Sequence, residues 1–379
     1  MKKGKFTALF FVICLCAVQI FCLFKPQVEF SENENRNLQT FPELSLKTVF
    51  GGQFMKQFDS FTADQFLFRD HWVSLATREL LAIGKRDNQK TYFGKDGYLF
   101  AIDTIDNSQF SKNKELLREF LQKIKQEHPD IRSTVMVVPT SSAILTEKLP
   151  YGAPVPDEIP LIEEIGVSVD GLATFCNPVP ELQAHTGEEI YYRTDHHWTS
   201  LGAYYAYTAW AKTQGIVPHD LQDYEIRTVS DSFLGTTYSK ANLSSISPDS
   251  IQTFTLFHAP KPSMQVNTGK EIKYFDSLYD ESYLSKKDQY SYFLSSNNPL
   301  VSIETGVKNG KTLLVLKDSF ANAFLPFLTE EYERILVVDP RYQRSGILDM
   351  LQQESITDIL VLYNIVNFSN DTNLISLVR

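Results

Sequence analysis

Cysteine is almost absent beyond the first two dozen residues. Of four cysteines in 379 residues, Cys14, Cys16 and Cys22 lie in the N-terminal apolar run and Cys176 stands alone in the body. One thiol excludes an intramolecular disulfide there, and equally a zinc cluster of cysteines. Positive charge is also short. The 36 Lys and Arg face 46 Asp and Glu, net −10, and without Lys2, Lys3 and Lys5 the balance is 33 against 46, net −13. A body that acidic suits neither nucleic acid nor anionic lipid as a partner. Histidine is scarce at seven residues, and no internal repeat or low-complexity stretch is visible.

What the chain does have is core-forming material. Hydrophobic residues make up 43% and charged residues 22%, with 18 Tyr and 27 Phe. This is enough for one large domain or two ordinary ones, and a body of that size is stable outside the cell without disulfides. Lys2, Lys3 and Lys5 precede an apolar run of about 19 residues, Phe6 to Phe24, with no clear small-x-small cleavage site after it. Residues 1–25 therefore read as an uncleaved signal anchor, with a cleaved signal peptide as the alternative. The lysines would stay cytoplasmic and the body would be exported.

Residues 26–60 read as an extended, linker-like lead, because Ser31 to Pro42 is polar and lacks apolar periodicity. Over 52–84, Phe54, Phe58 and Phe61 recur at helical spacing, followed by Trp72, Leu75 and Leu80, and packing of an amphipathic helix is expected. Tyr92 to Phe100 predicts a hairpin turning at Asp96-Gly97. Ser111 to Glu127 predicts an amphipathic helix ended by Pro129. Ser133 to Val138 predicts a buried strand, with Pro139-Thr-Ser-Ser142 at its end, and Val167 to Asp170 another strand. Residues 216–310 carry β-branched and aromatic runs, such as Thr253 to Phe257 and Tyr290 to Leu294, and read as a β-rich insertion. Thr312–Leu316, Arg334–Val338 and Asp358–Leu362 are short buried strands separated by helical stretches near 320–328 and 346–353. That β-α-β-α-β order predicts an α/β fold with a parallel sheet. Its functional edge would carry Lys317-Asp318-Ser319, Asp339-Pro340-Arg341-Tyr342 and Tyr363-Asn364.

The stretch that suggests chemistry is Tyr191-Tyr192-Arg193-Thr194-Asp195-His196-His197-Trp198-Thr199-Ser200. On an extended segment the side chains at i and i+2 share a face. Asp195 could then hold the Nδ1–H of His197, leaving Nε2 to take a proton from a nucleophile. Alternation would turn His196 away, into a structural or substrate-contact role. Ser319, following a buried strand and opening a helix, is the candidate nucleophile. Each piece also has a plain reading: a polar loop entering a helix capped by Thr199 or Ser200, and a serine helix cap at 319. A metal site at Asp195, His196 and His197 is disfavoured, since adjacent histidines rarely face one ion, and no cofactor is expected.

Asp195-His196-His197-Trp198 resembles the signature of the DHHW protein family, which is similar to the alginate O-acetyltransferase group of SGNH-hydrolase-like proteins. Gly94 to Phe100, Phe233-Leu-Gly-Thr236, Lys317-Asp-Ser-Phe320 and Asp339-Pro-Arg-Tyr342 also look like family motifs. The resemblance implies an SGNH-like domain over 61–379, in circularly permuted order, with a catalytic triad of Ser319, His197 and Asp195. One departure is Lys317, where the family has Gly before Asp-Ser. Oxyanion or substrate candidates are the Ser319 N–H, Asn297, Asn364, Tyr363, Arg341 and His196. The implied activity is an exported serine-dependent O-acetyltransferase or acetylesterase acting on a cell-surface polysaccharide, with a membrane-bound O-acyltransferase as partner. The acid excess favours a neutral or zwitterionic polymer. The alternative is an inactive glycan-binding or scaffold component of the same machinery.

Overall fold

The computed structural model describes residues 2–31, 36–243, 245–343 and 346–378, with the side chains at 2–4, 14, 15, 18, 19 and 23 left aside. The chain divides into two compact units, residues 1–88 with 238–245, and 89–237 with 246–379.

The first unit begins with a helix over Lys2–Phe24. Among the described residues no helix is long and apolar enough to cross a membrane. Positions 32–35 of the expected extended lead lie outside the described residues. The rest of that lead is not wholly extended, since Ser45 caps a short helix over Leu46–Phe50. Helices Gln53–Asp64 and Arg69–Ala82 follow. Phe41, Phe54, Phe58 and Phe61 form one ring cluster, as the helical spacing implied. Trp72 and Leu75 do not pack as expected and are 55% and 45% exposed.

The second unit is built on an eight-stranded sheet. In chain order its strands are β1 (Arg132–Val138), β2 (Thr174–Cys176), β3 (Ser263–Asn267), β4 (Ile272–Phe275), β5 (Leu300–Glu304), β6 (Thr312–Lys317), β7 (Arg334–Val338) and β8 (Asp358–Asn364). Their order across the sheet is β4-β3-β5-β7-β6-β8-β1-β2. From β7 to β2 the neighbours are parallel. These strands are nearly continuous apolar runs because helices cover both faces; every residue of β8 is buried.

The sheet is mixed, which corrects the expectation of a parallel one. β5 runs antiparallel to both β7 and β3, and β4 antiparallel to β3. Much of the expected β-rich insertion over 216–310 therefore extends the central sheet. Its other strands, Tyr224–Phe233 and Asp249–Leu256, form a separate hairpin. Tyr290, read as part of a β-rich run, lies in a 3-10 turn over Gln289–Tyr292. The strand expected at Val167 to Asp170 is instead the end of a helix over Glu158–Ser168, because Ile162 and Ile165 bury one helical face. The hairpin of Thr91–Phe93 with Leu99–Ala101 forms as expected. So does the long helix, over Asn107–Glu127, with Asp106 capping its first N–H groups.

Candidate active site

Residues 190–199 close into a tight loop rather than a strand. Tyr191 bridges to Trp198, the Tyr192 N–H donates to the His197 carbonyl at 3.2 Å, and the Thr199 N–H to the Ile190 carbonyl at 3.0 Å. Thr199 then caps the helix Ser200–Thr213, accepting from the Gly202 N–H. Trp198 is fully buried against Phe320, and its indole N–H donates to the Phe320 carbonyl at 2.9 Å. The second piece of the site follows β6. The Asp318 carboxylate accepts from the Phe320 N–H at 2.9 Å, the Asn364 N–H at 2.8 Å and the Asn367 amide at 2.7 Å. These bonds fix the turn that presents Ser319.

The two pieces meet. Ser319 Oγ lies 2.7 Å from His197 Nε2, and His197 Nδ1 lies 2.5 Å from Asp195 Oδ1. Asp195 reaches the ring through a bend, not by strand alternation, since its Oδ1 also accepts the His197 N–H at 3.0 Å. For the same reason His196 does not turn away. Its ring lies 3.8 Å from that of His197, and its Nδ1 meets Thr236 Oγ1 at 2.6 Å. On the other face of His197, Tyr290 stacks at 3.7 Å, while its hydroxyl donates to the Ser319 carbonyl at 3.0 Å. His197 is thus held between two rings with its edge toward Ser319.

Asp195 is 1% exposed. Burial opposes its charge, but the imidazoles of His196 and His197 and the hydrogen bonds from His197 and the Thr236 N–H outweigh it. They hold the carboxyl well below the usual carboxylate range. Its Oδ2 accepts the Thr236 N–H at 2.7 Å and the Thr236 hydroxyl at 2.9 Å. Gly235 makes this approach possible: a Cβ there would stand 2.3 Å from Asp195 Cβ and Oδ2. Asp195, His196 and His197 also form a close set of metal-type donors.

Lys317 turns its ammonium onto other side chains and does not meet Ser319. Its ammonium meets Asn297 Oδ1 at 2.6 Å and Asn322 Oδ1 at 2.7 Å, with Asp339 Oδ2 at 3.7 Å. Burial pulls its pKa down to about 8, with Asp339 acting in the opposite direction. Among the described residues neither the Ser319 N–H nor the Asn297 NH2 has an acceptor.

The remaining sequence candidates sit differently. The Asn364 amide is committed, its NH2 donating to the Val138 carbonyl at 3.1 Å and its oxygen accepting the Val366 N–H. Arg341 forks onto Asp339 at 2.8 and 2.6 Å. Tyr363 is fully enclosed, and its hydroxyl has no partner among the described residues. Thr236, Gly235 and Tyr290 surround the site without having been singled out for it. Only the motif Phe233-Leu-Gly-Thr236 pointed to the first two.

Residues 174–338 match the DHHW protein family, and residues 92–230 match the SGNH hydrolase-like domain of the acetyltransferase AlgX. No curated protein matches the sequence. A DHHW family protein from Eubacterium siraeum is similar in structure, with 26% identity and a TM-score of 0.65, over 77% of this chain and 95% of that one. PatB1 of Bacillus cereus, solved with a sulfonyl adduct, shares the fold at 19% identity and a TM-score of 0.60, over 73% of this chain and 94% of that one. Over these spans the chain is similar to the DHHW protein family and to the SGNH hydrolase-like domain of AlgX.

Proposed function

We propose that this protein is an exported serine O-acyltransferase or esterase that works on acetyl esters of a cell-surface polysaccharide. The observation that carries the reading is the run of short contacts from Ser319 Oγ through His197 to Asp195. In the first step Ser319 Oγ bonds to the ester carbonyl carbon while its proton passes to His197 Nε2. The tetrahedral oxyanion is met by the Ser319 N–H and the Asn297 amide. On collapse the leaving alkoxide takes the proton from His197, and the acetyl group stays on Ser319. A sugar hydroxyl, or water, then resolves the acyl-enzyme by the same steps in reverse. Asp195 stays ionised throughout and stabilises the imidazolium. Ser319 and His197 are only 7% and 5% exposed, which favours a small acyl group over a long one. The net charge of −10 favours a neutral or zwitterionic polymer over a polyanion. A membrane-bound O-acyltransferase would supply acetyl groups, and residues 6–24 would hold the body outside the cytoplasm.

The test is Ser319→Ala in the purified protein. Acetate release from p-nitrophenyl acetate should fall to background, and a sulfonyl fluoride should label wild type at Ser319 but leave the variant unlabelled. Unchanged release in the variant would sink the acyl-enzyme reading and leave the glycan-binding alternative.

A further inference from the structure

Lys317 is buried, 2% exposed, at the end of β6 and two residues before Ser319. A buried ammonium is tolerated only when its N–H groups find acceptors. Its two closest are amide oxygens, Asn297 Oδ1 at 2.6 Å and Asn322 Oδ1 at 2.7 Å. Asp339 is a weaker claimant at 3.7 Å, and Arg341 already forks onto that carboxylate. Lys317 is therefore not needed to neutralise Asp339. What the cation does decide is the orientation of two amides. An amide can present either its oxygen or its NH2 group, but only oxygen can face an ammonium. Asn322 then turns its own NH2 toward Asn297 Oδ1, at 3.3 Å. Asn297 Oδ1 is thus held from two sides, and its NH2 must point elsewhere. Asn322 belongs to the Ser319 turn, because its N–H donates to the Ser319 carbonyl at 3.2 Å. The Asn297 oxygen is thus gripped by Lys317 and Asn322, residues that flank Ser319 on both sides in sequence.

We infer that Lys317 is a positioning residue that acts through Asn297. Its ammonium fixes the Asn297 amide so that the NH2 group is presented to the oxyanion of the acyl-transfer step. This rests on the proposed acyl-enzyme function and adds a reason for lysine where the related motif has glycine. It also commits the protein to a donor set of one backbone N–H and one side-chain NH2.

The experiment is a double-variant cycle on the full chain, with p-nitrophenyl acetate as probe and Ser319→Ala measured in parallel as background. Lys317→Met and Asn297→Ala should each lower kcat by about 10²- to 10³-fold, with KM changed less than threefold, as loss of one oxyanion donor does. The double variant should be no slower than Asn297→Ala alone, because the lysine acts only through that amide. Single effects that multiply in the double variant would overturn the inference, as would wild-type kcat in Lys317→Met. If Lys317→Met does not fold, Asn297→Asp decides. A carboxylate there still accepts from Lys317 but offers no NH2, so thermal stability should be kept while kcat falls as in Asn297→Ala. Wild-type kcat in Asn297→Asp would overturn the inference. A Ser319→Ala variant that stays active fails the proposed function itself, whereas an inactive one beside an unaffected Lys317→Met fails only this inference.

Discussion

At the scale of single residues, Asp195 holds its charge where burial opposes it. The opposition is overcome by the two imidazoles and the hydrogen bonds from His197 and Thr236. Asp195→Asn should keep the contact geometry but lose the oriented tautomer of His197, lowering kcat on p-nitrophenyl acetate by about 10³- to 10⁴-fold. The same charge has a signature in folding. A carboxyl held lower in the fold than its ordinary 3.8 adds stability that is complete above that pH and is lost as pH falls below it. Urea midpoints of wild type should therefore drop more steeply than those of Asp195→Asn between pH 4 and 2. The three residues of the proposed triad could be named from the chain alone, because an acid two residues from an imidazole and a serine after a buried strand are local patterns. His196 and Tyr290 could not be placed. His196 depends on a bend that strand alternation does not foresee. Tyr290 reaches His197 through packing, from a segment whose composition resembles a strand.

At the scale of elements, two junctions stand out, the first of them at the site. The first is the end of the hairpin strand Tyr224–Phe233, where Gly235 lies against Asp195. Gly235→Ala should push Asp195 off His197 and lower kcat by about 10²-fold, since displacement of a catalytic group by about 1 Å has that effect. The check is kcat compared with melting temperature. The second junction is β1 with the helix Glu158–Ser168. The Thr140 N–H donates to Glu158 Oε2 at 2.7 Å and the Thr140 hydroxyl to Oε1 at 2.5 Å. Burial raises Glu158 from 4.5 to about 7 despite these bonds. Here the sign is opposite to that of Asp195. The folded chain keeps a proton that the unfolded chain has released, so stability falls as pH rises from 4.5 to 7, by about 3 kcal/mol. Glu158→Gln should abolish that slope in urea titrations. The central strands were legible because both their faces are buried, which writes them as unbroken apolar runs. The antiparallel β3, β4 and β5 were legible as β-rich but not as part of that sheet, since β3 and β5 bury only alternate residues and β4 is largely exposed, as in any hairpin.

At the scale of the whole chain, the proposed base His197 comes before the proposed nucleophile Ser319, and the turn between β3 and β4 falls between them. Gly269, Lys270 and Glu271 at its tip are exposed, the kind of place where proteases cut. The acid and imidazole would fall in one fragment and the alcohol in the other. These fragments share the β3–β5 ladder and the bond from the Trp198 indole to the Phe320 carbonyl. That indole contact involves neither an ionisable group nor the reacting hydroxyl, so it holds the halves in register whatever the state of the chemistry. A tryptic cut after Lys270 should yield two pieces that elute together and still turn over p-nitrophenyl acetate. Fragments that separated without denaturant would show that the peptide link is what keeps them matched. If they stay together, the gene for this protein could be divided at that turn and its two products made separately, with activity appearing only where both are present.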